Sequence, residues 1–179
     1  IIKNQIFEIS KLVNSFSELA RMPKPIFEKN DILEIVNSSF ETYQLNYEKI
    51  KFIFKNFLTN TQIYCDKGQI NRALLNIYKN AIESIEQKSR DVSQDGEIIT
   101  ELSEDKKFYF ISIYDDGVGF KDSGNFKHND PYFTTKKDGS GLGLSIVSKI
   151  VHEHNGQIFY ENRKKENGAL VSITIPKKI

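Results

Sequence analysis

The sequence has 179 residues, of which 39% are hydrophobic and thirteen are phenylalanine, enough for the core of one domain with an appended segment. With 25 basic and 24 acidic residues the net charge is +1, so charge gives no support for nucleic acid or an anionic membrane as the main partner. The single cysteine, Cys65, excludes an internal disulfide and is typical of a protein in a reducing compartment.

A heptad-like pattern predicts a helix at the start of the chain. Its apolar seam consists of Ile2, Ile6, Ile9, Val13, Phe16 and Ala20. Pro23 and Pro25 end the helix. Fewer than four heptads are weak evidence for a coiled coil, so two alternatives stay open. The helix either packs on its own domain or forms half of a helical hairpin or dimer. Since the chain begins at Ile1 and not at methionine, we expect a fragment of a longer protein, with any membrane segment outside it.

The remaining elements alternate between strands and helices. Asp31 can cap a short helix, and Asp66 with Gln69 predicts a capping box at the start of a long one. The other predictions are strands at 49–55 and 62–65, a hairpin of strands 97–102 and 108–114, a helix over 142–154 capped by Asn155 and Gly156, and a closing strand pair at 157–160 and 169–175. This order predicts a two-layer α/β sandwich, a mixed sheet with helices on one face, preceded by an amphipathic helix.

Two asparagines stand one turn apart on the long predicted helix, beside its apolar stripe. Asn76 and Asn80 are poor helix formers, so their presence needs an explanation. One explanation is a pair of interior amides bonded to each other and to the backbone. The other is that amide oxygens ligate a hard cation such as Mg²⁺.

Two glycine clusters enclose a polar segment without clear periodicity. Gly117 and Gly119 follow a strand that ends at Asp115, and the second cluster runs directly into a helix. Glycine lets the main chain approach a ligand closely, and free N–H groups at a helix start favour an anion. We therefore expect a nucleotide-phosphate site, with residues 121–130 as a lid over it.

Four motifs together resemble, in order and spacing, the N, G1, F and G2 boxes of sensor histidine kinases. They are Asn76-xxx-Asn80, Asp115-x-Gly117-x-Gly119, Phe133-Thr134-Thr135-Lys136 and Gly139-x-Gly141-Leu142-Gly143-Leu144. The resemblance implies the catalytic, ATP-binding domain of the family also found in gyrase and Hsp90-type ATPases. Residues 16–25 are similar to the end of the second dimerisation helix of nitrogen-regulation sensor kinases. We therefore expect a partial dimerisation domain at 1–25 and the catalytic domain at 26–179.

The resemblance implies roles for these residues. Asp115 would accept a hydrogen bond from the exocyclic amine of adenine, with Gly117 and Gly119 under the base. Asn80 would ligate Mg²⁺ with support from Asn76. The phosphates would be held by Lys79, Thr135, Lys136, Gly139, Gly141, Leu142, Gly143 and Leu144. Asn76, Asn80 and Lys136 are thus the expected catalytic residues, and Phe133 would anchor the lid.

One position separates the kinases from the ATPases of this superfamily. The ATPases carry a water-activating glutamate where this chain has Asn76, and an amide cannot act as a general base. The chain should hold ATP for phosphoryl transfer rather than hydrolyse it. Two features depart from the kinase pattern. Glu83 stands where many members have Lys or Arg, and His128, His152 and His154 do not match a phosphoacceptor histidine.

The sequence thus predicts the ATP- and Mg²⁺-binding part of a histidine kinase. The phosphoryl group would pass to a histidine absent from this chain and then to a response regulator protein. We expect a homodimer through the N-terminal helix, a cytoplasmic location beneath a membrane-anchored sensor, and no nucleic-acid partner. The alternatives are an ATPase of the same fold, a degenerate nucleotide-binding regulatory module, and a serine kinase that acts on a protein.

Overall fold

The computed structural model describes residues 21–89, 96–120, 143–163 and 167–177, together with Ser10, Val13 and Ser17. Its elements are β1 (Glu28–Asp31), α1 (Ile32–Gln44), β2 (Ile50–Asn56), β3 (Gln62–Cys65), α2 (Lys67–Ser89), β4 (Gly96–Glu104), β5 (Phe108–Asp115), α3 (Gly143–Glu153), β6 (Gln157–Asn162) and β7 (Ala169–Pro176). Each strand and helix that the sequence predicts after residue 30 is present, with ends that differ by a few residues. Strand β1 was not predicted.

Five strands form one mixed sheet in the order β2-β4-β5-β7-β6. Strands β2 and β4 are parallel, and the other neighbouring pairs are antiparallel. Buried residues alternate along the central strands, as Tyr109, Ile111 and Ile113 do in β5, because successive side chains point to opposite faces. The buried face packs against the three helices. The predicted two-layer sandwich is therefore confirmed.

Strand β3 does not join the main sheet. It pairs antiparallel with β1 in a separate two-stranded ribbon. The side chain of Asn30 on β1 reinforces the pairing by donating to the backbone carbonyl of Cys65 at 2.9 Å. Cys65 is buried at the end of β3, and burial raises the pKa of its thiol to about 11. It is thus a small, protonated core residue.

Side-chain caps begin the first two helices. Asp31 Oδ1 accepts from the backbone N–H of Leu33 at 2.9 Å and of Glu34 at 3.1 Å at the start of α1. At the start of α2, Asp66 Oδ1 accepts from the N–H of Gln69 at 3.0 Å. The reciprocal half of the predicted capping box is absent, because the N–H of Asp66 donates to Nε2 of His154 at 3.0 Å, while the Gln69 side chain donates to the carbonyl of Pro23 at 2.9 Å.

Helix α3 ends at the predicted signal. Asn155 has a positive φ of 56°, and the N–H of Gly156 donates to the carbonyl of Val151 at 2.8 Å. The asparagine thus takes the left-handed position. Gly156 is needed for another reason: a Cβ there would lie 2.0 Å from the carbonyl oxygen of Thr174 on β7.

The core lies between the sheet and the helices. Its fully buried members include Ile35, Leu74, Ile77, Ile82, Ile98, Leu102, Ile111, Ile113, Val147, Ile150 and Ile173. Phe40 of α1 is also in this core, and it makes edge contacts with Phe52, Phe54 and Tyr78. Of the helices described, none has both the length and the hydrophobicity to cross a bilayer.

The predicted N-terminal helix falls mostly outside the described residues. Ser10, Val13 and Ser17 are helical, and the N–H of Arg21 donates to the carbonyl of Ser17 at 2.9 Å. Val13, a predicted seam residue, is exposed. The boundary between the two predicted domains stays a prediction.

Candidate functional site

Helix α2 and the start of α3 bring the two asparagines and the second glycine cluster together. Gly143 is the first residue of α3. A Cβ at Gly143 would lie 3.5 Å from both the Nδ2 and Oδ1 atoms of Asn80 and 3.6 Å from Asn76 Oδ1. Both amides therefore face the N-terminus of α3. The asparagine pair and the glycine-rich helix start are close enough to contact one ligand.

The first explanation for the asparagines holds in part, and the second stays a prediction. Asn76 Nδ2 donates to the carbonyl of Arg72 at 2.8 Å, one turn earlier, so one side of this amide has the expected backbone bond. Its Oδ1 is the atom near Gly143. An amide oxygen near a helix start is a suitable hard ligand for a cation that also contacts an anion there.

The N-terminus of α3 is suited to an anion. Its first N–H groups have no partner within the helix, and the helix dipole places partial positive charge there. The first turn carries no acidic residue. Ile146, Val147, Ile150 and Val151 are buried and fix the helix on the core, while Leu144 in its first turn is half-buried.

Asp115 lies at the carboxyl end of β5 and is 5% exposed. Its Oδ1 accepts from the backbone N–H of Gly117 at 2.9 Å. Burial raises the pKa of Asp115 to about 6, while the N–H groups of Gly117 and Ala169 and the Ser84 hydroxyl lower it, and Asp116 raises it. Asp115 is thus a buried acceptor whose charge is poorly compensated, as expected of a carboxylate that recognises a donor on a ligand.

The neighbouring Asp116 has a structural role. Its Oδ1 accepts from the N–H of Glu97 at 2.9 Å, and its Oδ2 lies 3.2 Å from Lys88 Nζ. Lys88 also donates to the carbonyl of Asp116 at 2.6 Å. Asp116 thereby ties the end of α2 to β4 and β5, and it leaves Asp115 as the carboxylate available to a ligand.

The turn after β5 rests on Ser84 of α2. A Cβ at Gly117 would lie 2.2 Å from Ser84 Oγ and 2.6 Å from the Ser84 carbonyl carbon. The N–H of Val118 donates to the carbonyl of Ser84 at 3.3 Å. Gly119 has a φ of +70°, and a Cβ there would approach Asn162 Oδ1 to 2.7 Å. Contacts and backbone conformation within the protein therefore require both predicted glycines. Gly117 is required because it packs on α2.

The sequence interpretation missed several residues that support Asp115. Gly168 has a φ of +107°, and a Cβ there would lie 2.0 Å from the carbonyl oxygen of Asp115. Arg163 Nη1 donates to the same oxygen at 3.3 Å. Asn162 holds Phe120 by accepting from its N–H at 2.7 Å and donating to its carbonyl at 2.8 Å. Only Gly168, in a predicted turn, carried a sequence signal.

The other predicted residues divide into two groups. Lys79 is exposed on α2, beside Asn80 in sequence, and Glu83 is half-buried on the same helix. Outside the described residues lie the lid residues 121–130, His128, Phe133, Thr135, Lys136, Gly139, Gly141 and Leu142. Their roles stay predictions.

The two described histidines occupy a solvent-facing and a structural position. His152 is exposed. His154 is buried, its Nε2 accepts from the N–H of Asp66 at 3.0 Å, and its Nδ1 lies 2.8 Å from the carbonyl oxygen of Ile150. Because Nε2 is an acceptor, the proton is on Nδ1 and the ring is neutral. His154 therefore links the end of α3 to the start of α2.

Comparisons with known proteins show what the chain is similar to. Residues 65–179 match the family described as histidine kinase-, DNA gyrase B-, and HSP90-like ATPase. The nitrogen regulation protein NtrY of Azorhizobium caulinodans is 32% identical, over 97% of this chain and 22% of its own length. Sporulation kinase E of Bacillus subtilis is 28% identical, over 98% of this chain and 23% of its own. The chain thus spans less than a quarter of the length of these curated relatives.

Solved structures with the same fold include a histidine kinase named ThkA. The nucleotide-free catalytic domain of ThkA is 28% identical and superposes with a TM-score of 0.70, over 86% of this chain and 97% of that one. A structure of ThkA in complex with the response regulator protein TrrA is 26% identical with a TM-score of 0.75, over 99% of this chain and 49% of that one.

Proposed function

Since this chain belongs to the family of histidine kinase-, DNA gyrase B- and HSP90-like ATPases, we propose that it is the ATP-binding catalytic domain of a two-component sensor histidine kinase. Membership of the family implies ATP binding. The observation that carries the kinase proposal is the meeting of Asn76 and Asn80 with Gly143 at the start of α3, while Asp115 lies on a turn supported by the same helix α2.

Asp115 is the proposed group for recognition of the base. Its buried carboxylate accepts from the exocyclic amine of adenine, whereas guanine presents a carbonyl oxygen at the corresponding position. Two acceptors face to face in a site with little water are unfavourable, so the buried acceptor selects adenine. Gly117 and Gly119 shape the turn through their close approach to Ser84 and Asn162, and Gly168 packs against the carbonyl of Asp115.

Asn80 is the proposed ligand of Mg²⁺. Its amide lies beside the start of α3, where the phosphates would accept hydrogen bonds from backbone N–H groups. When bound, Mg²⁺ neutralises charge on the phosphate oxygens. Asn76 Nδ2 donates to the carbonyl of Arg72, and this bond orients Asn76 Oδ1 toward the start of α3. Lys79 and Lys136 are proposed to offset the phosphate charge.

The proposed reaction transfers the terminal phosphoryl group of ATP to a histidine on another segment. The bond between the γ-phosphorus and its bridging oxygen breaks, a phosphorus–nitrogen bond to the imidazole forms, and ADP and the imidazole proton leave. Asn76 provides no general base for water, so hydrolysis is slow. In this proposal neither His152 nor His154 accepts the phosphoryl group. His154 is buried, and both of its ring nitrogens are hydrogen-bonded.

The remaining proposals concern the whole protein. We propose that the response regulator receives the phosphoryl group, by analogy with the ThkA and TrrA complex. The N-terminal helix would form a homodimer. Any membrane anchor lies in segments other than this chain, and the domain works on the cytoplasmic side.

Calorimetric titration of the 179-residue chain with ATP, with and without Mg²⁺, tests the function. We expect binding that Mg²⁺ tightens and that GTP does not reproduce. Terminally labelled ATP should stay intact, and no label should appear on the chain. Absence of ATP binding, or equal binding of GTP, contradicts the proposed site. Rapid release of inorganic phosphate contradicts the argument from Asn76.

A further inference from the structure

Ser84 carries a buried hydroxyl that the fold does not explain. It lies on α2 one turn after Asn80 and is 9% exposed. Its Oγ has no hydrogen-bond partner in the described part of the chain. Because an unmade hydrogen bond at a buried polar atom is destabilising, alanine would be the better residue if packing alone decided the position.

The surroundings of Ser84 are those of the proposed adenine site. The Cα of Gly117 packs directly against it, and the N–H of Val118 donates to its carbonyl. The Oγ is close enough to the carboxylate of Asp115 to lower the pKa of that group, although the two do not make a well-aligned hydrogen bond. A serine hydroxyl proton rotates about the C–O bond. A small movement of either side chain would therefore let the hydroxyl donate a hydrogen bond to the carboxylate.

We propose that Ser84 is a positioning residue for adenine recognition: its hydroxyl donates to the carboxylate of Asp115 when ATP binds, which keeps that carboxylate ionised and directed at the exocyclic amine. This inference rests on the proposed function. Asp115 Oδ1 already accepts from the N–H of Gly117. The serine would act as a further donor from α2, so that the helix bearing Asn80 would also orient the group that recognises the base.

Other charged groups near Asp115 would not change in a Ser84 variant. Asp116 follows it in the turn and pairs with Lys88 of α2 at 3.2 Å. Arg163, after β6, donates to the backbone carbonyl of Asp115. Glu97 of β4 forms an ion pair of 3.1 Å with a lysine of β2. A shift in the pH dependence of binding on removal of the Ser84 hydroxyl therefore reports on the hydroxyl itself.

The test is calorimetric titration of Ser84→Ala and Ser84→Cys with ATP at pH 8 and pH 6. Alanine removes the donor, whereas cysteine retains a similar shape with only a weak donor. We expect both variants to bind ATP about fivefold more weakly at pH 8, as for the loss of one hydrogen bond. The loss should be larger at pH 6, because without the hydroxyl the pKa of Asp115 rises and a protonated carboxyl no longer accepts from the amine.

Controls separate this role from packing and from the proposed function. Ser148→Ala, at an exposed position of α3, should bind ATP like the parent chain. Thermal unfolding should show that both Ser84 variants fold. If both variants bind ATP like the parent chain at both pH values while Asp115→Asn binds it more weakly, the role of Ser84 is refuted and the proposed function is not. A cysteine variant that binds like the parent assigns the effect to packing and overturns the proposal. If the parent chain does not bind ATP, the proposed function fails first.

Discussion

Helix α2 carries polar side chains at its start and along its second half, and the two sets differ in what they bond to. At the start, Asp66 accepts from the N–H groups of Ile26 and Gln69, at 2.9 Å and 3.0 Å, and its own N–H donates to His154. Farther along, the amide of Asn80 faces the start of another helix, and the Ser84 hydroxyl has no hydrogen-bond partner among the residues that the structure describes. The carboxylate and N–H of Asp66 use their hydrogen bonds within the protein, although Gln69 Oε1 nearby has no partner among the described residues. The groups at the proposed site retain capacity for a ligand.

The side of α2 that faces the sheet confirms this distinction. Tyr78 is buried, as Ser84 is, but its hydroxyl lies 2.7 Å from Thr100 Oγ1 on β4. Burial holds the pKa of Tyr78 well above its usual range, so it stays protonated. The difference predicts two kinds of variant on one helix: changes at the start and at Tyr78 should reduce stability, and changes at the proposed site should reduce nucleotide binding.

The largest effect on binding is expected for Asn80→Ala. Loss of a direct ligand should weaken the Mg²⁺-dependent part of ATP binding at least as much as the roughly 10- to 100-fold found for outer-shell partners. The melting temperature should change little, since Asn80 is only partly buried and alanine is a good helix former. Calorimetry with and without Mg²⁺ measures the effect. Unchanged tightening by Mg²⁺ would contradict the metal assignment.

Asp115→Asn should weaken ATP about 10- to 100-fold, as for a hydrogen bond to a charged group, and leave residual GTP binding unchanged. In the parent chain, ATP affinity should fall as the pH drops through about 6, because the protonated carboxyl no longer accepts from the amine. In the variant this dependence should disappear. An equal loss of ATP and GTP binding would remove Asp115 from base recognition.

The same substitution should stabilise the unliganded protein. The raised pKa of Asp115, about 6 against an ordinary 3.8, means that its ionisation costs about 3 kcal/mol more in the folded than in the unfolded chain. This penalty is absent below about pH 4, grows as the pH rises toward 6 and is complete above it. Denaturant unfolding should therefore show Asp115→Asn to be the more stable protein at pH 8, with the difference gone at pH 4.

Much of the fold could be predicted because its signals are local. Alternation in 108–114 and the 3–4 spacing around Leu74 and Ile77 appear in the chain itself. Strand β1 could not be predicted, because Glu28, Lys29, Asn30 and Asp31 are all polar and become a strand only by pairing with β3. The partner of the Gln69 side chain, Pro23, is 46 residues away and gives no local signal.

The candidate site was predictable where it depends on spacing. Asn76 and Asn80 one turn apart, and glycines before a helix, are visible as patterns, and the structure brings Gly143 to the two amides. Ser84 and Asn162 were missed because a serine in a helix and an asparagine at a strand end are ordinary residues until the tertiary structure places them beside Asp115 and Phe120. Thr135, Lys136, Gly139 and Gly141 remain predictions.

Variants of the residues that hold the start of α2 test whether these polar groups serve stability and not nucleotide binding. His154→Leu removes the acceptor of the Asp66 N–H and the contact between the imidazole and the ring of Phe27, whose centroids are 5.1 Å apart. We expect it to lower the free energy of unfolding by about 2 kcal/mol, with the ATP dissociation constant unchanged at temperatures where the variant is folded. His152→Leu is the matched control, since His152 is exposed and should change stability little. Selective loss of ATP binding in His154→Leu would show that the two regions are coupled.

The smallest expected effect comes from Tyr78→Phe. It deletes a hydroxyl that is bonded to Thr100, so Thr100 Oγ1 loses its partner, and the free energy of unfolding should fall by about 1 kcal/mol. Tyr64→Phe, at an exposed position of β3, should change stability by much less. Denaturant unfolding of both and of Ser84→Ala at pH 4, where Asp115 is protonated, gives the sharpest contrast. Deleting a paired buried hydroxyl should destabilise the protein, whereas deleting the Ser84 hydroxyl, which has no partner among the described residues, should leave stability unchanged or raise it, because the desolvated oxygen is removed. A larger loss in Ser84→Ala than in Tyr78→Phe would mean that the Ser84 hydroxyl already serves the fold.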